Sequence, residues 1–249
     1  MTIAAGFRCA DGVLLCADSQ LTIPAYLKFP EAKIISMSGV KFSPCFAYCG
    51  DVAFSKDSIH RIGETIHTAE DDRNLMRAIR GVAREIYLEQ KLLSREERET
   101  LELLVVMKRG SRFQLWHLRR LNLSPIQECI PIGAGMDMMY ATAKPFYSPA
   151  MKLREASFMG AYALYLTKEY VDSVGKNSLI YLIFDDGRRA VVTQEEIEEL
   201  EQSFGEFRSA SATVLTECDG TAFGDGLNRL ETKLREAFAK RERRELLFL

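Results

Sequence analysis

The sequence predicts an α+β fold of four layers, in which two antiparallel sheets stack face to face and a helix pair covers each outer face. Apolar runs typical of strands come in groups, and pairs of segments with helical periodicity separate them. This order lacks the alternating strand–helix rhythm of a doubly wound parallel sheet. Hairpin signals such as Asp11-Gly12 favour antiparallel pairing. With 249 residues, 47% of them hydrophobic, the chain is long enough for one large domain or two small ones.

The N-terminal part is predicted to be rich in strands. Strands are predicted before the first helix at residues 3–7, 13–17, 33–37 and 43–50. The second of these runs has no polar face, which is typical of a strand covered on both sides. Residues 21–31 contain two prolines and are predicted to form a loop.

Two helices should follow. Ile59, Ile62 and Ile66 share one helical face. Either Asp71 or Asp72 is suited to cap the second helix, which is predicted to end near residue 93. Its buried stripe is expected to contain Leu75, Ile79, Val82 and Ile86.

The rest of the chain repeats this plan before a less regular tail. The predicted elements are strands at residues 101–107, 112–118 and 126–132, helices at 135–147 and 152–172, and a hairpin at 179–192. Thr193 and Glu196 form a capping-box pattern that predicts the start of a short helix. We expect a main domain over residues 1–203 and a C-terminal extension over residues 204–249, with an amphipathic helix near Leu227 and Leu234.

Composition excludes several function classes. The net charge of -2 and the pI near 6.0 give no reason to expect nucleic acid or an anionic membrane as a partner. We find no signal peptide and no apolar run of spanning length, and we expect a cytoplasmic protein. The six cysteines lie mostly in apolar runs and are expected to be buried reduced thiols. Cys45 and Cys49 have no second pair of ligands at a suitable spacing, so neither a metal nor another cofactor is expected.

The dipeptide Met1-Thr2 is the first chemical candidate. If Met1 is removed, the hydroxyl and the free α-amine of Thr2 lie on one residue. An α-amine has a pKa of about 7.7–8.0, close enough to neutral for it to act as a base towards the hydroxyl. Many proteins begin with this dipeptide, so it carries little weight alone.

The order of elements and several short motifs resemble the proteasome β-subunits and their bacterial relatives HslV and Anbu. The opening TIAAGFRCADGVLLCADS places Asp18 sixteen positions after Thr2, and AKIISM carries Lys33. AYCGDVAFSKD places Gly50 at a strand-to-helix corner, PIGAGMDMMY is similar to a glycine-rich turn into a helix, and YVDSVGKNSLIYLI contains Asp172. The resemblance covers residues 2–199. It implies the αββα sandwich of the N-terminal nucleophile (Ntn) hydrolases.

The resemblance also implies roles for these residues. Thr2 would attack a peptide carbonyl, and Lys33 would favour its alkoxide. Asp18 would orient Lys33, and the Gly50 N–H would face the developing oxyanion. Tyr48 would lie near the pocket that receives the substrate side chain. Taken singly, Asp18 also fits a strand end, Lys33 a solvated edge charge and Gly50 a simple corner.

The sequence departs from the family at two serines. Ala134 and Met136 stand where the family has a hydroxyl in or beside its glycine-rich turn, and Gly175 stands three positions after Asp172, where a second serine is usual. Three hypotheses therefore remain. The first is a threonine peptidase in a self-compartmentalising homo-oligomer, ring or helical, which acts on peptides or proteins and for which the resemblance allows an unfoldase ATPase as partner. The second is a catalytically inactive assembly subunit, and the third is an Ntn amidase that acts on a small amide.

Overall fold

The computed structural model describes residues 3–23, 27–37, 42–69, 71–93, 100–216 and 232. Thr2 and the predicted helix near Leu227 and Leu234 lie outside these ranges. The chain divides into two compact units, Met1–Val192 and Thr193–Leu249.

Within the described residues, the first unit consists of two five-stranded antiparallel sheets, a small two-stranded sheet and four helices. Its strands are, in chain order, β1 (Ile3–Cys9), β2 (Gly12–Asp18), β3 (Gln20–Ile23), β4 (Leu27–Pro30), β5 (Ile34–Ser36), β6 (Cys45–Tyr48), β7 (Glu102–Arg109), β8 (Arg112–Arg119), β9 (Asn122–Ile126), β10 (Cys129–Gly133), β11 (Ser178–Phe184) and β12 (Arg189–Val191). Its helices are α1 (Val52–Thr68), α2 (Asp72–Leu92), α3 (Met136–Ala143) and α4 (Leu153–Tyr170).

The two large sheets differ in whether neighbouring strands are also consecutive in the sequence. The first sheet has the order β10-β1-β2-β11-β12, and the second has the order β5-β6-β7-β8-β9. In the first sheet the hairpin of β1 and β2 pairs Ala4 with Ala17, and β11 then pairs Ser178 with Asp18. The N-terminal hairpin therefore lies in the middle of its sheet, which explains why β2 has no polar face.

Buried apolar side chains fill the space between the sheets. One sheet contributes residues of β1, β2 and β11, and the other contributes residues of β6, β7 and β8; the cluster includes Ala4, Val13, Leu15, Ile183, Ala47, Leu104, Val106 and Leu115. This layer confirms the predicted face-to-face stacking.

A helix pair covers the outer face of the second sheet. The predicted stripe residues of α1 and α2 are buried against the outer side chains of β6 and β7, with Val82 only half-buried; the packed set includes Ile59, Ile62, Ile66, Leu75, Ile79, Phe46 and Val105. Asp51 caps α1 by accepting from the Phe54 N–H at 2.8 Å. Asp71, rather than Asp72, caps α2 by accepting from the Asn74 N–H at 2.8 Å.

The helices α3 and α4 cover the outer face of the first sheet. Gly160 lets α4 approach β2, because a Cβ atom there would lie 3.1 Å from a methyl carbon of Leu14. The helix α3 ends at Ala143, a turn earlier than the predicted residue 147.

Two predicted segments differ from the structure. Within the loop predicted at residues 21–31, residues 21–23 and 27–30 form strands, and β3 and β4 pair from Gln20 with Pro30 to Ile23 with Leu27. Pro30 is tolerated as the last residue of an edge strand, where no ladder N–H is required. The single strand predicted at 126–132 is two strands in different sheets: β9 pairs with β8, and β10 pairs with β1. The apolar pattern of this run does not specify which strand it pairs with. It therefore could not predict that the chain changes sheet between β9 and β10.

The second unit contains α5 (Gln194–Thr216). Its first turn has the predicted capping box, in which the Thr193 N–H donates to Glu196 Oε2 at 2.9 Å and the Glu196 N–H donates to Thr193 Oγ1 at 3.2 Å. The prediction of a short helix is wrong, since α5 has 23 residues.

Candidate active site

Asp18, the last residue of β2, is the centre of a buried polar cluster. Its side chain is fully buried and accepts four hydrogen bonds from residues that the structure describes. Oδ1 accepts from the Ile3 N–H at 3.1 Å and from Lys33 Nζ at 2.5 Å. Oδ2 accepts from the Gln20 N–H at 3.3 Å and from the Gly175 N–H at 3.1 Å. All four neighbours are donors, so the ionised carboxylate, which only accepts, satisfies them.

Lys33 lies immediately before β5 and brings the second sheet to this cluster. The residue is 1% exposed, and its Nζ also donates to the Gln20 carbonyl at 2.6 Å. Burial lowers the pKa of the Lys33 ammonium below its ordinary 10.5, while the adjacent Asp18 carboxylate opposes this shift. Lys33 is therefore not a solvated edge charge. It is a buried cation paired with the Asp18 carboxylate.

The start of β1 is anchored at the same cluster. The Ile3 N–H is bound by Asp18, and Ile3 pairs with Gly133 of β10. A Cβ atom on Gly135 would lie 3.4 Å from Ile3 Cβ and 2.6 Å from a methyl carbon of Thr167, so only glycine fits there. Thr2, which precedes Ile3, lies outside the described residues. These contacts therefore concern Ile3, the residue next to the candidate nucleophile.

Gly50 and Tyr48 lie at the corner between β6 and α1. Gly50 has a φ of +96°, a conformation that favours glycine, and it is exposed with open space around its Cα. The Tyr48 N–H donates to the Lys33 carbonyl at 3.2 Å, which places these two residues opposite each other on neighbouring strands. The Tyr48 side chain is fully buried, and its hydroxyl donates to the Ala32 carbonyl at 3.2 Å. The predicted roles of both residues stay predictions.

Asp172 follows the end of α4 and is exposed. The loop after α4 reaches Asp18 through the backbone N–H of Gly175. The predicted catalytic role of Asp172 stays a prediction.

A second polar cluster lies beside Lys33, and the sequence did not indicate it. The Cys49 thiol is 3.5 Å from Glu102 Oε2, and His117 Nε2 is 3.1 Å from Glu102 Oε1. Burial, reinforced by the Glu102 charge, raises the pKa of the Cys49 thiol, whereas the hydrogen bond from His117 lowers the pKa of Glu102. Cys49 is thus an inert thiol by its environment. Strand register alone brings it opposite Glu102, since Tyr48 pairs with Leu103.

Sequence analysis also missed Gln20 and the contact of Gly175 with Asp18. Gln20 is 3% exposed and offers its backbone N–H to Asp18 and its carbonyl to Lys33. Both of these contacts use backbone atoms, so the residue type at position 20 gave no signal for them. No group of three or more His, Cys, Asp and Glu residues within the described ranges could hold a metal ion. No helix among these residues is long and apolar enough to cross a membrane.

Comparison with known proteins gives a fold relationship. The sequence matches no protein-family model and no curated protein sequence. Among solved structures, Anbu from Yersinia bercovieri, described as an ancestral beta-subunit, superposes with a TM-score of 0.71 at 14% identity over 88% of this chain and 99% of that one. Anbu from Hyphomicrobium sp. strain MC1 gives 0.69 at 16% identity over 88% and 98%. A Gly-1 mutant of the Hyphomicrobium protein gives 0.67 at 16% identity over the whole of both chains. The chain therefore has the proteasome-like Ntn hydrolase fold of Anbu.

Proposed function

We propose that this protein is a threonine peptidase whose nucleophile is Thr2 after removal of Met1. The observation that carries the proposal is the buried Asp18–Lys33 ion pair, which also binds the N–H of Ile3, the residue next to Thr2. A fully buried pair is a poor way to gain stability, because its desolvation offsets most of the attraction between the charges. A cation held this close to residue 2 is better accounted for by chemistry at that residue.

The mechanism assigns one task to each group. The Thr2 Oγ forms a bond to the peptide carbonyl carbon, and its proton passes to the Thr2 α-amine directly or through one water. Lys33 stabilises the alkoxide and keeps the α-amine neutral by like-charge repulsion. The Gly50 N–H binds the oxyanion, a contribution of about 2.7–4 kcal/mol. The C–N bond then breaks, the amine returns the proton to the leaving group, and water hydrolyses the ester.

The proposal includes an assembly and a substrate. The sites would face an enclosed space in a ring or helical homo-oligomer that admits peptides or unfolded proteins. Size-exclusion chromatography with multi-angle light scattering of the purified chain tests this part, and a monomer at micromolar concentration would contradict it.

Electrophile labelling tests the nucleophile. The full chain is treated with an epoxyketone or a β-lactone, and intact mass is measured for wild type, Thr2→Ala and Thr2→Ser. We expect wild type to lack Met1 and to gain one adduct, Thr2→Ser to react as well, and Thr2→Ala to remain unlabelled. A wild-type chain that lacks Met1 and gains no adduct would refute the proposal.

A second candidate is an inactive assembly subunit. It is favoured by Ala134, which offers no side-chain hydroxyl between Gly133 and Gly135, and by Gly175, which offers none in the loop that binds Asp18. It predicts a stable oligomer with a retained Met1 or an unreactive Thr2. Turnover of a small amide, with casein and fluorogenic peptides left intact, would instead favour an Ntn amidase.

A further inference from the structure

Gln20 connects the other members of the buried cluster through its backbone. It is the first residue of β3, and its N–H donates to Asp18 Oδ2 while its carbonyl accepts from Lys33 Nζ. The carboxylate and the ammonium are thus held by two atoms of one residue. A shift of this residue would move both charges.

The side chain of Gln20 packs against Gly175. A Cβ atom on Gly175 would lie 2.6 Å from Gln20 Oε1, 3.4 Å from Cδ and 3.9 Å from Nε2, so the amide occupies the volume that any other residue at position 175 would need. Gly175 in turn donates its N–H to Asp18 Oδ2. The contacts form a closed ring: Gln20 touches Gly175, Gly175 binds Asp18, and Asp18 binds both Lys33 and the Gln20 backbone.

Burial of the Gln20 side-chain amide has a desolvation cost. Gln20 is 3% exposed, and a buried amide is retained only where its surroundings compensate its lost hydration. An apolar side chain of similar volume would fill the space without that cost. The polar side chain at this place therefore calls for a role beyond packing.

We propose that Gln20 is a positioning residue whose side-chain amide holds the Gly175 loop against Asp18 and thereby fixes the Lys33 ammonium. The effect of Gln20 on Lys33 does not depend on the proposed peptidase function. Only the expected effect on Thr2 rests on that function. The titratable groups that face Lys33 are Asp18, Cys49 and Glu31. Removing the amide loosens the Gly175 loop and admits water to the buried pair, and a carboxylate in its place adds a negative charge to the cluster. Both changes raise the pKa of Lys33 towards or above its ordinary 10.5.

The test measures Lys33 directly. Wild type, Gln20→Ala, Gln20→Glu and Gly175→Ala are treated with an amine-acylating reagent over a range of alkaline pH, and peptide mass spectrometry follows the modification of Lys33. We expect the pH midpoint to rise by about one unit in Gln20→Ala and by more in Gln20→Glu. Gly175→Ala, which keeps the amide but displaces it, should give a smaller rise in the same direction. Gln114→Ala, in β8, is the matched control and should leave the midpoint unchanged.

The outcomes separate this proposal from the proposed function. If wild-type Thr2 is not labelled by the electrophile, the peptidase proposal fails, while the Lys33 midpoint still decides the role of Gln20. If Thr2 is labelled, its pH profile should shift in Gln20→Ala and stay unchanged in Gln114→Ala. A Lys33 midpoint that is the same in wild type, Gln20→Ala and Gly175→Ala would overturn the proposal. Gly175→Ala also covers the case in which Gln20→Glu does not fold.

Discussion

The two ends of the sandwich both join its sheets with charged side chains, but they use different partners. At the turn end, defined by Arg8, Asp11, Phe113 and Asp185, Arg8 donates to the Phe113 carbonyl, and Asp185 accepts from the Phe113 N–H at 2.8 Å. At the lysine end, defined by Asp18, Lys33, Gln20 and Gly175, an ammonium and a carboxylate bind each other, and both side chains are at most 2% exposed.

The difference separates cohesion from function. At the turn end, charged side chains bind backbone atoms in half-buried positions, and this is enough to join the two sheets. Joining the sheets therefore does not require a buried ion pair. The lysine end uses one nevertheless, at the desolvation cost that such a pair carries. The comparison thus supports a chemical role for the lysine end and a structural role for the turn end.

The largest expected effect is the loss of the buried ammonium. Lys33→Met leaves the Asp18 carboxylate buried without its charged partner, and we expect the free energy of unfolding to fall by about 3–5 kcal/mol. Arg8→Met, at the turn end, should cost about 1–3 kcal/mol, because the Phe113 carbonyl and, at 3.5 Å, the Gly12 carbonyl lose a donor. Urea unfolding of both variants measures the two losses. An equal or larger loss in Arg8→Met would remove the contrast between the two ends.

The glycines at the two ends should differ in the same way. A Cβ atom on Gly12 would lie 2.1 Å from the Ile183 carbonyl oxygen, which is backbone and cannot move away alone. We expect Gly12→Ala to lower the free energy of unfolding by about 3 kcal/mol. Gly175→Ala meets only the end of the Gln20 side chain and should cost about 1 kcal/mol.

Thermal and urea unfolding of these two variants, together with Thr2 labelling, completes the glycine test. Gly12→Ala should reduce stability without changing the pH profile of labelling in the folded protein, while Gly175→Ala should change the profile at a small loss of stability. The reverse pattern would contradict the assignment of structure to one end and chemistry to the other.

A rise in alkaline pH should change the contributions of the two ends to the free energy of unfolding in opposite directions. Burial raises the pKa of Cys9, near the turn end, from 9.0 to about 12. Above pH 9.0 the unfolded state loses this proton while the folded state keeps it, so stability falls by about 1.4 kcal/mol per pH unit. Lys33 has the opposite shift: below pH 10.5 the unfolded state holds its proton more firmly, and stability rises with pH.

Urea unfolding between pH 9.0 and 10.5 under reducing conditions separates these contributions. Cys9→Ala should make the fall in stability shallower by about 1.4 kcal/mol per pH unit, and Lys33→Met should make it steeper. A shallower fall in Lys33→Met would show that the pKa of Lys33 is not lowered in the folded protein.

The sequence predicts the turn end better than the lysine end, for a physical reason. The Asp11-Gly12 turn is local, since it is set by residues within a few positions. The lysine end depends on contacts between distant segments: Asp18 and Gly175 are 157 positions apart. Sequence reasoning reached Asp18 and Lys33 only through motifs that resemble a known family. It could not reach Gln20, the contact of Gly175 with Asp18 or the change of sheet between β9 and β10, because tertiary pairing alone determines them.

The smallest expected effect compares two tyrosines. Tyr147, at the turn end, donates its hydroxyl to the Arg8 carbonyl at 2.6 Å, and Tyr48, at the lysine end, donates to the Ala32 carbonyl at 3.2 Å. Burial raises the pKa of both hydroxyls, so both stay protonated and able to donate. Tyr147→Phe and Tyr48→Phe should each lower the free energy of unfolding by about 1 kcal/mol. Because Ala32 precedes Lys33, Tyr48→Phe should also slow Thr2 labelling by about threefold, equivalent to about 0.7 kcal/mol. Equal labelling rates in the two variants would mean that the Tyr48 hydroxyl contributes to stability alone.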